Sequence, residues 1–260
     1  MSILDQLADY ARLRTEQSKQ LISAEEIKAK ALSLSKSSFA FENAIKGGDI
    51  SFICECKKAS PSKGIIAEDF PYVKIACEYE SAGADCISVL TEPKWFLGSS
   101  EHLREISHSV SIPCLRKDFI VDEYMIYEAR LLGAAAVLLI CSILSDAQLK
   151  EYIDICDSLG LSALTEAHSE EEVMRALRSG ARLIGVNNRD LKDFSVDTEN
   201  SRRLRHLVPS DVLFVSESGI NSAEDIAKLR GTGIDAVLIG ETLMRAPDKK
   251  KKLAELRGNI

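Results

Sequence analysis

From residue 50 onward, short apolar runs rich in strand-forming residues alternate with longer stretches whose apolar positions recur every three to four residues. The short runs cover residues 50–57, 86–91, 113–117, 135–141, 162–166, 183–187, 212–217 and 236–240. Helical spacing follows the runs, as over 69–82, 122–132, 146–159 and 222–230. Near-continuously apolar strands are buried on both faces, which means a parallel sheet covered by helices. Eight such units in a chain of 260 residues predict an α/β fold of the (β/α)8 TIM-barrel type.

An internal repeat supports the closed barrel. Helical stretches end in Ser81-Ala-Gly83-Ala-Asp85, Leu132-Gly133-Ala134, Ser179-Gly180-Ala181 and Gly231-Thr-Gly233-Ile-Asp235, with the four glycines Gly83, Gly133, Gly180 and Gly233 spaced by 50, 47 and 53 residues. That interval fits two βα units, and glycine suits the left-handed turn that ends a helix. An open doubly wound sheet would carry a glycine-rich phosphate loop after its first strand, where this chain has Ala59-Ser-Pro-Ser-Lys-Gly64 instead. Residues 1–48 precede the first strand. Leu4, Leu7, Ala8 and Ala11 lie there at helical spacing, and Ser23-Ala-Glu-Glu26 reads as a capping box opening a second helix. The expected organisation is one barrel domain over 1–260, with 1–48 as a helical extension whose apolar face covers the barrel.

Composition narrows the functional classes. With 45% hydrophobic and 28% charged residues the chain falls among ordinary globular proteins, and its longest apolar run, near 134–141, is too short to span a bilayer. The opening segment has early acids and no basic stretch ahead of an apolar one, so it does not read as a signal peptide, and a cytoplasmic protein is expected. A net charge of -7 disfavours nucleic acid as a partner, and Lys249 to Lys252 read as a solvated final helical turn. The seven cysteines include no Cys-x-x-Cys pair and lie in apolar runs, so they are expected to be reduced core residues; the four histidines have no ligand spacing, and no metal is expected.

In a (β/α)8 barrel the active site lies at the C-terminal ends of the strands. Here those ends carry Glu55-Cys-Lys57, Lys117-Asp118, Glu166, Asn187-Asn-Arg189 and Glu217-Ser218-Gly219. Glu55 and Lys57, two apart on a strand, share one face. Alone they could be a structural ion pair, but charge on several further strands points to a reactive mouth, where unlike charges shift one another's pKa values. Ser218 and Gly219 precede a helix start near Ser222, and Gly240 follows the last strand, a combination that suits a phosphate. Ser60 sits in a polar loop that could add a hydrogen bond. Trp95, Phe96 and Phe119 follow the second and third strands, where a planar ring could stack.

These residues resemble those of the indole-3-glycerol phosphate synthase family. The resemblance rests on Glu55-Cys-Lys57-Lys-Ala-Ser60-Pro61, Leu115-Arg-Lys117-Asp-Phe119, Leu164-Thr-Glu166, Gly185-Val-Asn187-Asn-Arg189-Asp-Leu191 and Ser216-Glu217-Ser-Gly-Ile220, in order on successive strands. It implies a carboxy-lyase of tryptophan biosynthesis that closes the ring of 1-(2-carboxyphenylamino)-1-deoxyribulose 5-phosphate, decarboxylates it and dehydrates it, without a cofactor. It further implies Lys117 as general acid, Glu166 as general base, and Lys57 against the substrate carboxylate, with a second use as an acid in dehydration left open. Glu55 and Asn187 would orient these groups, and Arg189 and Glu217 would complete the polar ring. Phe119 would line the ring pocket, while Ser60, Ser218, Gly219 and Gly240 would hold phosphate. Glu241 stands where some members of the family have serine; its carboxylate is expected to turn aside. The implied partner is a small phosphorylated substrate, with no nucleic acid or membrane. The expected state is a monomer, with at most weak association with other enzymes of the pathway.

Two alternatives stay open at this point. A phosphoribosylanthranilate isomerase type of barrel needs only one acid and one base, fewer charges than this mouth carries. A non-catalytic barrel that keeps the phosphate pocket would bind substrate without turning it over.

Overall fold

The computed structural model describes residues 2–189 and 195–258. Among them, parallel strands close into an eight-stranded barrel: β1 (Ser51–Cys56), β2 (Cys86–Leu90), β3 (Cys114–Lys117), β4 (Ala136–Ile140), β5 (Ser162–Ala167), β6 (Leu183–Asn187), β7 (Leu213–Glu217) and β8 (Ala236–Ile239). Each strand pairs with its neighbours in sequence and β8 closes onto β1, with Ser51 opposite Ala236. Register sets the charged ends at nearly one level, since Leu90 faces Lys117, Ile140 faces Glu166 and Asn187 faces Glu217. A small antiparallel hairpin, Ala59–Ser60 with Gly64–Ile65, rises after β1.

The repeated glycines have a shared mechanical role. Gly83, Gly133, Gly180 and Gly233 all have φ between +83° and +90°, a region costly for residues with a Cβ. In two of the four repeats the aspartate two places on accepts a hydrogen bond from the neighbouring strand: Phe52 N donates to Asp85 Oδ2 and Phe214 N to Asp235 Oδ2, both at 2.7 Å. The turn therefore fixes where the next strand starts against its neighbour.

Helices α1 (Ile3–Leu21), α2 (Ala24–Ser33) and α3 (Ala40–Ile45) precede the barrel. Leu7, Ala8 and Ala11 of α1 are buried, and Leu7 and Ile3 border the barrel mouth. Helix α2 packs on the outer helix α6 (Glu123–Leu131). Helix α3, which the apolar spacing of the sequence does not announce, meets the N-terminal ends of the strands: Phe41 and Ile45 are fully buried and Glu42 N donates to Ser162 Oγ. The Ser23 cap is half formed, because its side chain accepts from Glu26 N while Glu26 turns to Lys30. The remaining helices are α4 (Tyr72–Ser81), α5 (Ser100–Ser109), α7 (Asp146–Leu159), α8 (Glu170–Arg178), α9 (Glu199–Arg205), α10 (Ala223–Leu229), α11 (Glu241–Met244) and α12 (Lys249–Arg257). Lys249 to Lys252 open α12 rather than close it, and the Asp248 side chain caps that unfavourable start by accepting from Lys251 N. Six of the cysteines are buried in the core; Cys77, on α4, is only partly so. Among the described residues no helix is long and apolar enough to cross a membrane.

Candidate active site

Alternation along β1 turns Glu55 and Lys57 to the same side, where Lys57 Nζ lies 2.6 Å from Glu55 Oε1. From β2, Ser88 Oγ donates to Glu55 Oε2 at 3.4 Å. Room for the pair comes from the adjacent strand end, for a Cβ on Gly240 would overlap Glu55 Oε1 and stand 2.8 Å from Lys57 Nζ.

Lys117, at the end of β3, reaches between two carboxylates and lies 3.7 Å from both Glu166 Oε2 and Glu217 Oε2. Asn187 Nδ2 donates to Glu166 Oε2 at 3.3 Å, and its Oδ1 accepts from Ser218 Oγ at 2.9 Å and from Arg189 N at 3.0 Å. Glu217 is buried, and its Oε1 has no hydrogen-bond partner among the described residues. A Cβ on Gly185 would overlap that oxygen, so the glycine of β6 is what lets the carboxylate lie there.

This cluster is nearly closed to solvent, and burial raises the cost of every charge in it. For Lys117 burial opposes the charged form, but Glu166, Glu217 and Glu55 outweigh it and hold the ammonium above its usual range. Burial likewise works against ionised Glu55, and Lys57 followed by Lys117 overcomes it, leaving that carboxyl lowered. Glu217 goes the other way: burial and the neighbouring Glu166 push it up to about 8, only partly countered by Lys117.

Side chains that leave the strand ends in other directions shape the loops. Asp118 is fully buried and accepts from Arg14 of α1 at 2.7 Å, from Thr91 Oγ1 at 2.6 Å and from Phe119 N at 2.9 Å. It ties the loop carrying Lys117 and Phe119 to the N-terminal helix. Buried Glu92 accepts from the backbone of Lys94, Trp95 and Phe96 at 2.8–2.9 Å, fixing the loop that presents Phe96. Phe96 and Phe119 stand 6.0 Å apart as an apolar wall. Trp95 instead packs edge-on against Tyr10, outside the cavity, so the ring-stacking expectation fails for it.

On the far side of the mouth, Ser218 and Gly219 both take positive φ, +66° and +86°. Asn188 holds this turn, donating to Ser218 O at 3.0 Å and Ser216 Oγ at 3.2 Å. The Ser222 cap of α10 and the start of α11 at Gly240 lie alongside, and Lys63, Arg189 and Arg245 bring positive charge to the same cavity. Glu241 borders the same cavity. Its carboxylate is tied to Arg245 Nε at 3.0 Å and lies 3.8 Å from Lys63 Nζ.

Together these groups line a cavity of about 810 Å³ at the strand C-termini. The sequence-derived set, Glu55, Lys57, Ser60, Phe96, Lys117, Phe119, Glu166, Asn187, Arg189, Glu217, Ser218, Gly219 and Gly240, all borders it. Asp190 and Leu191, the end of one quoted motif, lie outside the described residues. Sequence reasoning missed the supports: Gly185, Asn188, Glu92, Lys63 and Arg245. Gly185 and Asn188 stood inside a quoted motif, so their position was a usable signal. Among the described residues no group of three or more His, Cys, Asp or Glu is arranged to hold a metal ion.

The family model for indole-3-glycerol phosphate synthase matches residues 4–256. The chain is similar to an indole-3-glycerol phosphate synthase of Ruminiclostridium cellulolyticum, 58% identical over 99% of each chain. It is 50% identical to one of Lachnoclostridium phytofermentans over 98% of each. Among solved structures it resembles a thiamine phosphate pyrophosphorylase of Pyrococcus furiosus at 19% identity, with a TM-score of 0.61 over 84% of this chain and 96% of that one. An N-acetylmannosamine-6-phosphate 2-epimerase of Clostridium perfringens gives 17%, 0.61, 79% and 91%. At such identities these two structures speak to the fold alone.

Proposed function

The chain belongs to the indole-3-glycerol phosphate synthase family, and we propose that its barrel mouth converts 1-(2-carboxyphenylamino)-1-deoxyribulose 5-phosphate to indole-3-glycerol phosphate, CO2 and water. The observation that carries the residue roles is the placement of Lys117 between Glu166 and Glu217, with the Glu55–Lys57 pair in the same cavity.

Substrate phosphate binds at the Ser218–Gly219 turn and Gly240, with Ser60 beside it and Lys63, Arg189 and Arg245 supplying positive charge. Phe96 and Phe119 receive the aromatic ring. Lys117 meets the C2 carbonyl. As the ring carbon attacks, the oxygen becomes an alkoxide more basic than a lysine, so even an ammonium with a raised pKa gives up its proton there. Lys57 neutralises the carboxylate that then leaves as CO2. In dehydration Glu166 removes a proton and a lysine protonates the departing hydroxyl. Glu55 and Asn187 hold the lysine and glutamate in place, and Glu217 stabilises Lys117 between turnovers.

The same reading takes the chain as a cytoplasmic monomer needing no cofactor, with at most weak association with other enzymes of tryptophan biosynthesis. The test is direct: purified protein and the carboxyphenylamino sugar phosphate, followed by indole fluorescence with no metal or cofactor added. Product formation is expected. Binding without product would favour a non-catalytic barrel, and neither binding nor product would overturn the proposal.

A further inference from the structure

Immediately behind Glu166, outside the cavity wall, lies a histidine that the proposed reaction does not use. His168 follows β5, and its Nε2 is buried without a hydrogen-bond partner among the described residues. That nitrogen lies 3.6 Å from Glu166 Oε1, the oxygen turned away from Lys117 and Asn187. The ring is fixed from its other side. Nδ1 is 3.3 Å from Glu172 Oε2, the same oxygen accepts from His168 N at 2.7 Å, and Glu172 Oε1 accepts from Ser142 Oγ at 2.8 Å. Asn200 Nδ2 donates to the His168 carbonyl at 3.2 Å, so the backbone is held as well.

A carboxylate at Nδ1 makes that nitrogen a donor, and a second carboxylate in front of Nε2 favours a proton there too. The charged groups facing the ring are Glu172 from α8, Glu166 from its own strand and Glu217 from β7, with Lys117 beyond the two glutamates. Two carboxylates, Glu172 and Glu166, flank the imidazole, and Glu217 acts on it from further off. Burial opposes its charge, but the Glu172 hydrogen bond and then Glu166 prevail and carry its pKa up to about 9.

We propose that His168 is a positioning residue for the reaction: as an imidazolium braced by Glu172, it orients the Glu166 carboxylate and offsets the negative charge that Glu166 and Glu217 share. This rests on the reading of Glu166 as the base. Without the imidazolium, Glu166 and Glu217 would be left with Lys117 as their nearest cation, and a proton on the carboxylate pair would be held more tightly.

Two experiments separate this role from a structural one. In His168→Gln and His168→Leu, the acid limb of the kcat profile should move up by about one pH unit, so that kcat falls about tenfold below the limb's midpoint and little on the plateau above it, with KM within about twofold. An acid limb left in place, with any loss the same at every pH, would overturn the proposal. NMR titration of histidine-labelled wild-type protein, with His168 assigned from the Gln variant, needs no active mutant. A midpoint above about 8 is expected, and one at or below the ordinary histidine value of about 6.5 would overturn it. Glu166→Gln keeps the two readings distinct: full turnover in that variant removes Glu166 as the base, whereas the His168 midpoint reports on the imidazolium alone.

Discussion

Gly185→Ala tests the architecture of the site with one carbon. The new Cβ would overlap Glu217 Oε1 and stand 3.3 Å from Glu217 Cδ and 3.1 Å from Leu164 Cδ1. Leu164 is fully buried in the barrel, so it has little room to retreat; the carboxylate, at the end of a flexible side chain, gives way instead. A displacement of about 1 Å removes Glu217 from its place beside Lys117. Overpacking of this kind costs about 1–3 kcal/mol, which in a domain of this size lowers Tm by roughly 2–12 °C. Misplacing a positioned group by about 1 Å costs up to about 100-fold in rate, so kcat should fall 10- to 100-fold. The phosphate turn and the aromatic wall do not touch the new atom, and KM should change little. Calorimetry gives the stability change, and indole fluorescence across a substrate series separates kcat from KM. Gly47→Ala is the control, since nothing lies within 4 Å of its added carbon. Wild-type kcat in Gly185→Ala, alongside the expected fall in Tm, would mean that Glu217 plays no part in turnover.

Other perturbations follow from the same geometry. Lys117→Met should lower kcat at least about 100-fold while phosphate-dependent binding persists; near-normal turnover would remove Lys117 as the acid. Gly240→Ala should push apart Glu55 and Lys57, raising KM and lowering kcat together because the same glycine borders the proposed phosphate site, and a crystal structure with the pair unmoved would contradict this. Stability should fall as pH rises. Glu217 is raised from 4.5 to about 8 and His168 from 6.5 to about 9, so the folded state binds more protons than the unfolded chain across both windows. The His168 contribution, at most about 3 kcal/mol, is fully present below about pH 6.5 and is lost as pH rises through about 9. Denaturant titrations should show a shallower decline between pH 6.5 and 9 in His168→Leu than in wild type, and equal slopes would refute the assignment.

The barrel was legible because its signals are local. Apolar strand runs, and glycines that must turn left-handed before each new strand, are written within a few residues of where they act. The charged strand ends were legible for a related reason: the fold sends every strand's C-terminus to the same mouth, so Glu55, Lys117, Glu166 and Glu217 converge once the order of strands is known. Helix α3 escaped because it lacks a side-chain cap at its start and covers the strand N-termini with just Phe41 and Ile45 buried. Trp95 and Phe96 are adjacent and chemically alike, yet one faces the cavity and the other Tyr10. The decision belongs to Glu92, which accepts three backbone N–H groups and sets the loop's path.

What the sequence withheld is the reason a glycine stands where it does. Neither Gly185 nor Gly240 has a positive φ, so a left-handed turn does not account for them as it does for Gly219. Each is small because a carboxylate from a neighbouring strand lies across it: Glu217 from β7 over Gly185, and Glu55 from β1 over Gly240. Such a constraint joins residues 32 and 185 positions apart, and it exists only once the register of adjacent strands has been fixed. The same holds for His168, which in sequence is one more unpartnered histidine. Its charge has a use because β5 carries Glu166 to the mouth while α8 returns Glu172 to the other edge of the imidazole. A buried carboxylate needs space and countercharge, and here part of each comes from residues outside the cavity lining, Gly185 and His168. The chemistry is therefore written at strand ends, while its supports are distributed among positions that only the closed barrel brings together.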